Sequence, residues 1–485
     1  MFELKYVSGV HKFLWALFFA STAASFFTYL YGAQTFGLLR FDTLSCLMLT
    51  MVTLLGAVIG QYSLRYLSGD QRQKYFFKYL LVCISAVSVL VLSNQLLLFF
   101  SMWIATSVGL HRLLLFYQER PAALLAAKKK FLISRIGDLC LIVALALTYK
   151  TFNTLDFEEL FQMVDGLNPD SPAAAALSWI GLLFIIGAMT KSAQFPFHGW
   201  LPDTMETPTP VSALMHAGII NAGGFLIIRL SPILQHAKMG HIFLMVVGSL
   251  TAVLGVLTMI TQNNIKKKLA YSTISQMGVM MFSCGLGAYS IALFHIIAHS
   301  FYKAYAFLST GMLLDESKKE GYKIVPSSIG MLLAGSLIGL LILLSGIFIK
   351  QGEHFAYFAY ASVLALGFWQ SLSERSPRVG ISFTVYGRIF SVLVLASGIF
   401  LAVEVWLSQA LGRQAPFFVI PVEVNDPQVI AAILSYGLFC VGFWLSSLLM
   451  VPESRWSKKL YMYLWNGGYF SYRTSRLFKT ITPTH

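Results

Sequence analysis

Apolar runs of about 20 residues recur along this chain, and their recurrence constrains the fold more than any other feature of the sequence. An α-helix of that length crosses the hydrocarbon core of a bilayer and satisfies its own backbone hydrogen bonds there. Only 12% of the 485 residues are charged, against about 25% in soluble proteins, and 57% are hydrophobic. Because no hydrophilic stretch is long enough to build a separate core, the sequence predicts a single all-α, polytopic membrane domain over residues 1–485.

Hydropathy and turn signals divide this domain into about 14 transmembrane spans. They cover residues 12–32, 42–65, 76–93, 95–117, 131–149, 174–194, 210–230, 241–261, 269–287, 290–314, 328–349, 355–373, 383–411 and 428–450. The last three form a C-terminal region over 351–450, and a basic tail follows over 451–485. One side of the membrane receives 24 Lys and Arg, including this tail and the loop segment at Lys128, Lys129 and Lys130, whereas the other receives five. The positive-inside rule therefore predicts that both termini are cytoplasmic.

Lys191 is a basic residue at a predicted helix break. It ends the apolar run GLLFIIGAMTK and is followed by SAQFPFHGWLPD, in which Pro196 and Pro202 cannot continue an α-helix. Broken helices at membrane depth line cavities and mark ion sites in transporters. The alternative is that Lys191 ends a span and snorkels to the interface. Lys350, in SGIFIKQGEH, fits either an inverted counterpart of Lys191 or an interfacial anchor.

Three titratable residues share one face of a later span. His295, His299 and Lys303 are spaced i, i+4, i+8 in ALFHIIAHSFYKAYAF, which stacks them along a helix. Histidine titrates near physiological pH, so this spacing predicts a proton relay. Arg135 and Asp138, in SRIGD, are three residues apart and can form a supporting ion pair, either structural or acting as a gate.

The sequence argues against catalysis by this chain alone. It contains no dinucleotide fingerprint and no P-loop, and its five cysteines occur singly, without the spacing of iron–sulfur or zinc ligands. We therefore expect a transport subunit without catalytic residues, cofactor or metal of its own. The net charge of +14 lacks the folded basic patch of a nucleic-acid binder, and it suits anionic lipid headgroups or a cytoplasmic partner.

Three long motifs resemble a known family. The chain is similar to the antiporter-like subunits of respiratory complex I, especially NADH-quinone oxidoreductase subunit L, and to the large subunit of multisubunit (Mrp) sodium/proton antiporters. The motifs are GAMTKSAQFPFHGWLPDTMETPTPVSALMHA, TQNNIKKKLAYSTISQMG and FHIIAHSFYKAYAFLSTGM, within a likeness over about residues 40–350. The resemblance implies two inverted five-helix repeats with broken helices and a polar axis that moves protons. By motif match this pathway comprises Lys191, His216, His295, His299, Lys303 and Lys350.

Two departures from that family narrow the resemblance. Ile104 follows Trp103 where the family places a glutamate, and the chain ends soon after its last predicted span. In both respects it looks most like the DabB family, the membrane subunits of the DAB inorganic-carbon uptake complexes. That likeness implies a large, soluble, cytoplasmic partner with a zinc site similar to that of β-carbonic anhydrase, and a location in the bacterial inner membrane. Proton or sodium flow through the membrane subunit would then drive hydration of CO2 in the partner.

Two alternatives from other classes remain open at the level of sequence. One is a proton-pumping subunit of a redox complex of the complex I or hydrogenase type. The other is a subunit of a cation/proton antiporter that works without an enzyme partner. The absent glutamate and the short C-terminal region argue against both, but only through the resemblance.

Overall fold

The computed structural model describes residues 2–168, 171–310, 426–450 and 454–469, with a few residues between 398 and 411. Its first seven α-helices are α1 (Phe2–Tyr31), α2 (Thr43–Tyr66), α3 (Gln73–Leu92), α4 (Leu96–Leu114), α5 (Pro121–Phe152), α6 (Phe157–Asp165) and α7 (Pro172–Lys191). The next six are α8 (Thr209–Ala217), α9 (Ala222–Arg229), α10 (Ser231–Leu234), α11 (Lys238–Thr261), α12 (Ile265–Gly285) and α13 (Tyr289–Leu308). The last two are α14 (Pro427–Met450) and α15 (Arg455–Trp465). A short antiparallel hairpin, β1 (Gln34–Phe36) and β2 (Leu39–Phe41), joins α1 to α2.

The predicted all-α, polytopic membrane fold is confirmed. Within the described residues, ten helical segments are long and apolar enough to cross a membrane, with α8 and α9 together forming one of them. The predicted span 269–287 corresponds to the helix α12, which is not one of these ten segments. Three lysines in its first turn lower its hydropathy. The predicted spans 328–349 and 355–373, most of 383–411, and Lys350 lie outside the described residues.

Polar side chains fix where several helices begin. The carboxylate of Asp42 accepts a hydrogen bond from the Ser45 N–H at 2.8 Å and so caps α2. The side chain of Asn264 caps α12 in the same way, through the backbone of Lys266 and Lys267. Such caps satisfy N–H groups that the first helical turn leaves without partners. Neighbouring helices then pack as the pairs α1–α2, α3–α4, α5–α7 and α11–α12, and α14 lies against α11.

The start of α5 differs from the prediction. The helix begins at Pro121, a residue suited to the first helical position, and not near residue 131. Lys128, Lys129 and Lys130 therefore belong to a helix, and the prediction that they lie in a loop is wrong. The reason is that their turn of α5 packs into the protein, where Lys129 and Lys130 are buried with polar partners.

The chain breaks twice around the predicted proline-rich segment. The helix α7 ends at Lys191, and two 3-10 turns, Phe197–Trp200 and Pro202–Glu206, carry the chain to α8. Pro196 precedes the first of these turns and Pro202 begins the second. A second break, which the sequence analysis did not predict, separates α8 from α9 at Gly218 and the 3-10 turn Ile219–Asn221.

Candidate functional site

The ammonium group of Lys191 lies inside the protein at the first helix break. Its side chain is mostly buried (the residue is 8% exposed), and its Nζ donates a hydrogen bond to the Trp103 carbonyl oxygen at 2.9 Å. The same nitrogen lies 4.0 Å from the centroid of the Trp103 ring, a cation–π distance. Lys191 therefore contacts α4 inside the bundle, and this position does not fit the alternative of an interfacial, snorkelling lysine.

Lys130 is a second buried lysine beside Lys191, and it is not among the site residues predicted from the sequence. Its Nζ donates to the carbonyl oxygen and to the hydroxyl oxygen of Ser107, both at 2.8 Å. The two lysines are close enough to repel each other when both are charged. One signal could have found Lys130, because it lies eight residues before Asp138 and so shares its helical face.

Asp138 supplies the carboxylate of this first cluster. It forms an ion pair with Arg135 at 2.6 Å, and it interacts electrostatically with both lysines. Its position depends on Gly137, since a Cβ at that residue would overlap the Thr190 side chain of α7. The close approach of α5 to α7 thus brings an acid to Lys191 although Ile104 replaces the glutamate expected after Trp103.

A second cluster joins α8, α12 and α13. Lys303 is fully buried, and its Nζ donates to the Leu269 carbonyl oxygen at 3.1 Å. The His216 ring lies 3.1 Å (Nδ1 to Oγ1) from the Thr273 hydroxyl. His216 and His299 both interact electrostatically with Lys303, and the rings of His295 and His299 lie 6.2 Å apart. The structure therefore brings these four predicted residues together.

The second helix break lies between the two clusters. Ser192, next to Lys191, donates to the Ile220 carbonyl oxygen at 2.7 Å. Asn221 is fully buried and donates through Nδ2 to the Ser300 hydroxyl at 2.8 Å, one residue from His299. These two bonds place polar groups at the break, between Lys191 and the histidines. An asparagine two residues before a Gly-Gly pair, inside an apolar span, was the signal for Asn221 in the sequence.

Ion pairs fix the chain just after the first break. Lys129 contacts Asp203 at 2.5 Å and Arg120 contacts Glu206 at 2.8 Å, so α5 and the residue that precedes it hold the 3-10 turn Pro202–Glu206 at two points. His198, in the preceding 3-10 turn, is buried, and that burial lowers its pKa to about 4. His198 is therefore neutral at physiological pH.

A further buried pair lies at the opposite end of the bundle. Arg229, the last residue of α9, contacts Asp42 at 2.6 Å, and both residues are buried. Burial by itself would raise the pKa of Asp42, but the Arg229 guanidinium outweighs it and holds that pKa below its usual value.

The described residues offer no clear metal site. Across them, no three His, Cys, Asp or Glu side chains are grouped as metal ligands would be. The chemistry available at both clusters is the gain, loss and transfer of protons by lysine, histidine and aspartate.

Known families match this chain over much of its length. A profile described as NADH:quinone oxidoreductase/Mrp antiporter matches residues 93–344. A second, described as NADH-ubiquinone oxidoreductase (complex I) chain 5 N-terminus, matches residues 35–77. The two matches include the α4–α13 region, which holds every residue of both clusters.

Individual relatives are subunits of transport and respiratory complexes. The probable inorganic carbon transporter subunit DabB of Hydrogenovibrio crunogenus is 34% identical over 91% of this chain and 83% of its own length. The probable inorganic carbon transporter subunit DabB2 of Halothiobacillus neapolitanus is 41% identical, over 58% of this chain and 50% of its own length. NADH-quinone oxidoreductase subunit L of Mycobacterium tuberculosis is 37% identical, over 58% of this chain and 44% of its own length.

Solved structures share the fold. The Mrp complex from Dietzia sp. DQ12-45-1b contains a chain that is 26% identical, with a TM-score of 0.59 over 89% of this chain and 52% of that one. The archaeal membrane-bound sulfane sulfur reductase contains a chain with a TM-score of 0.64 over 87% of this chain and 93% of that one. Its sequence identity of 17% shows a common fold alone. This chain therefore belongs to the NADH:quinone oxidoreductase/Mrp antiporter family, as an antiporter-like, proton-translocating membrane subunit.

Proposed function

We propose that this chain conducts protons to energise inorganic-carbon uptake, in a complex with a soluble, zinc-bearing, carbonic-anhydrase-like partner. The observation that carries the proton-conducting part is the environment of Lys191, whose ammonium rests on a backbone carbonyl and an indole face. The support for the carbon-uptake part is the 34% identity to a DabB subunit over 91% of this chain.

The first step of the pathway is the charging of a buried lysine. An uncompensated charge inside a membrane costs at least about 2.5–3.5 kcal/mol. For Lys191, attraction to the Asp138 carboxylate offsets part of this cost, whereas repulsion from a charged Lys130 increases it. The free energy of the protonated state of Lys191 therefore depends on which neighbour carries a charge. When Asp138 pairs more closely with Arg135, the proton on Lys191 is less stable and is released.

The second step is transfer across the broken segment to the histidine cluster. In the described part of the chain, Asn221 Oδ1 and both ring nitrogens of His299 are buried without a hydrogen-bond partner. Buried polar atoms of this kind are stabilised by water, which also relays protons. The proton would pass from Lys191 along Ser192 and Asn221 to His299, then to Lys303, and onward by way of Lys350.

Arg135 and Asp138 act as a gate in this scheme. The Arg135 side chain is 39% exposed and Asp138 is 6% exposed, so the arginine can be displaced while the carboxylate remains inside. We propose that movement of Arg135 toward or away from Asp138 sets the charge that Lys191 experiences. A signal from the partner that moves this part of α5 would thereby couple proton flow to catalysis.

Affinity purification of the tagged chain in mild detergent tests the carbon-uptake part. We expect one large soluble protein to copurify, with zinc in the complex at a fixed ratio to this chain. Several redox subunits carrying iron–sulfur clusters, or only small membrane subunits, would overturn this part in favour of a pump or an antiporter respectively. Proton flux into liposomes containing the purified complex, compared for wild type and Lys191→Ala, tests the conducting part separately.

A further inference from the structure

The helix α15 lies at the level where membrane-crossing helices end. It begins at Arg455, a few residues after α14 ends at Met450. The Tyr461 hydroxyl donates to the Thr261 carbonyl oxygen at 3.3 Å, and Gln262 Nε2 donates to the Trp465 carbonyl oxygen at 3.2 Å. Because Thr261 is the last residue of α11, these two bonds hold α15 beside the end of a span, at the membrane surface.

The C-terminal end of α15 is also held against the bundle. Gly467 follows the helix with φ of +62°, a conformation that favours glycine. A Cβ at Gly467 would lie 2.5 Å from the Tyr271 hydroxyl oxygen on α12, so the backbone there is in close contact with the bundle. The α11–α12 hairpin thus holds α15 along its second half, through Tyr461, Trp465 and Gly467.

One face of α15 packs inward and the other is exposed. Ser457 and Leu464 are buried against the bundle, and Leu460 and Tyr461 pack beside them. The exposed side chains combine three cations with large aromatic or apolar groups, and they are Arg455, Trp456, Lys458, Lys459, Met462, Tyr463 and Trp465. Trp456 is 53% exposed and Trp465 is 44% exposed. Indole rings beside basic side chains are typical of helices that lie in the headgroup region of a bilayer.

From this placement we infer that α15 is an in-plane helix that binds anionic phospholipid headgroups through Arg455, Lys458 and Lys459. The charge of the three side chains is complementary to that of lipid phosphates, and basic clusters next to a span attract anionic leaflets. Trp456 and Trp465 enter the boundary between headgroups and acyl chains. A soluble protein partner would explain the cations, but it leaves the exposed indoles at the bilayer level without a role. The inference does not depend on what the chain transports.

Lipid binding to the purified chain tests this inference. In a neutral detergent, phosphatidylglycerol and phosphatidylcholine with the same acyl chains are added, and native mass spectrometry counts the bound lipids while melting is followed. We expect phosphatidylglycerol to be retained preferentially and to raise the melting temperature more than phosphatidylcholine does. The variant Arg455→Gln/Lys458→Gln/Lys459→Gln should bind phosphatidylglycerol at least tenfold more weakly. High salt should reduce the difference between the two lipids.

A matched variant controls for the loss of three charges. Lys5→Gln/Lys74→Gln/Lys78→Gln removes three exposed lysines from α1 and α3, which pack with α2 and α4. This control should bind phosphatidylglycerol as the wild type does. The inference is overturned if both triple variants bind it equally, or if inorganic phosphate alone reproduces the rise in melting temperature. Equal binding of the two lipids by the wild type would also overturn it, and would favour a protein partner for the exposed face of α15.

Discussion

Buried cations in this protein occupy two kinds of surroundings. Arg229 lies against the carboxylate of Asp42 at 2.6 Å, and Lys129 lies against that of Asp203 at 2.5 Å. Lys130, Lys191 and Lys303 instead direct their ammonium groups to oxygens of Ser107, Trp103 and Leu269. In the part of the chain that the structure describes, no carboxylate oxygen lies within 4.0 Å of those three nitrogens.

This difference separates charges that hold the fold together from charges that can move. In a contact pair of a cation and a carboxylate, loss of either charge leaves the other without that compensation. A lysine that rests on neutral oxygens loses its proton without creating such an anion, and burial favours its neutral form. The paired cations lie at the helix ends and beside the broken segment, and the lysines on neutral acceptors lie within the two clusters.

The largest expected effect follows from removing Lys191. Lys191→Ala should reduce proton flux, and any uptake that depends on it, at least a hundredfold, because the first proton acceptor of the pathway is lost. The protein should still insert in the membrane at wild-type levels, since among the described residues no carboxylate at salt-bridge distance from Lys191 loses its partner. Proton flux in proteoliposomes and the amount of folded protein in the membrane are the measurements.

Lys128→Ala is the matched control for Lys191→Ala. Lys128 is exposed on α5, so its loss should leave flux within about twofold of wild type. Wild-type flux through Lys191→Ala would remove this lysine from the pathway and would end the distinction between the two kinds of cation.

The next largest effect is on the stability of the protein, at a buried cation that is paired with a carboxylate. Asp42→Asn should cost about 3–5 kcal/mol, because it leaves Arg229 buried and charged without its carboxylate. Flux per folded molecule should change little. Acid should act in the same direction as the substitution. The pKa of Asp42 is below its usual value in the folded state, so its contribution is complete above about pH 4 and is lost as the pH falls further.

Denaturation of the purified protein, with flux measured on the surviving fraction, checks this expectation. The double variant Asp42→Asn/Arg229→Met should recover part of the lost stability, since it removes the stranded charge. A loss of flux at unchanged stability would place Asp42 among the conducting groups and not among the structural ones.

The sequence revealed those parts of the molecule that depend on local pattern. The membrane fold follows from hydropathy, the end of α7 from Pro196 and Pro202, and the stacking of His295, His299 and Lys303 from their spacing. Lys130 was missed because basic residues at an apparent loop were assigned to the positive-inside bias, whereas α5 begins ten residues earlier than hydropathy suggests.

Other parts of the site depend on contacts between distant segments. The approach of Asp138 to Lys191 depends on how α5 packs against α7 through Gly137. The contact of Asn221 with Ser300 joins residues 79 positions apart. Neither is encoded in the periodicity of a single helix, and both require the packed bundle.

Substitution of Lys130 tests more sharply the difference between the two kinds of buried cation, although its expected effect on proton flux is smaller. Lys130→Met keeps the size of the side chain and removes the charge, so stability should stay the same or rise. Flux should fall about tenfold, because Lys191 loses the neighbour whose charge favours release of its proton. Lys129→Met is the matched variant one residue away. It removes the cation that contacts the Asp203 carboxylate and should lower stability, with flux per folded molecule kept.

Thermal unfolding and proteoliposome flux of the two variants distinguish the sites. The prediction fails if Lys130→Met is destabilised as much as Lys129→Met while both conduct like wild type. That result would make Lys130 a structural residue despite its neutral acceptors.

At neutral pH the smallest expected effect is that of a buried histidine outside the clusters. The pKa of His198 is lowered to about 4 by burial, so the folded protein does not protonate it at moderate pH. The unfolded chain takes up that proton below about pH 6.5. Stability should therefore fall as the pH drops from about 6.5 toward 4, by at most about 1.4 kcal/mol per pH unit. His198→Gln should remove this part of the slope, as measured by unfolding at a series of pH values.

The same variant separates titration that affects stability from titration that affects transport. His198→Gln should leave the pH profile of proton flux between pH 6 and 8 within about twofold of wild type, because His198 is neutral throughout that range. His299→Gln, in the second cluster, should flatten or shift the profile, since His299 lies between Asn221 and Lys303 on the pathway. If the two substitutions changed the profile equally, burial in a polar cluster would not distinguish a conducting histidine from one that is merely enclosed.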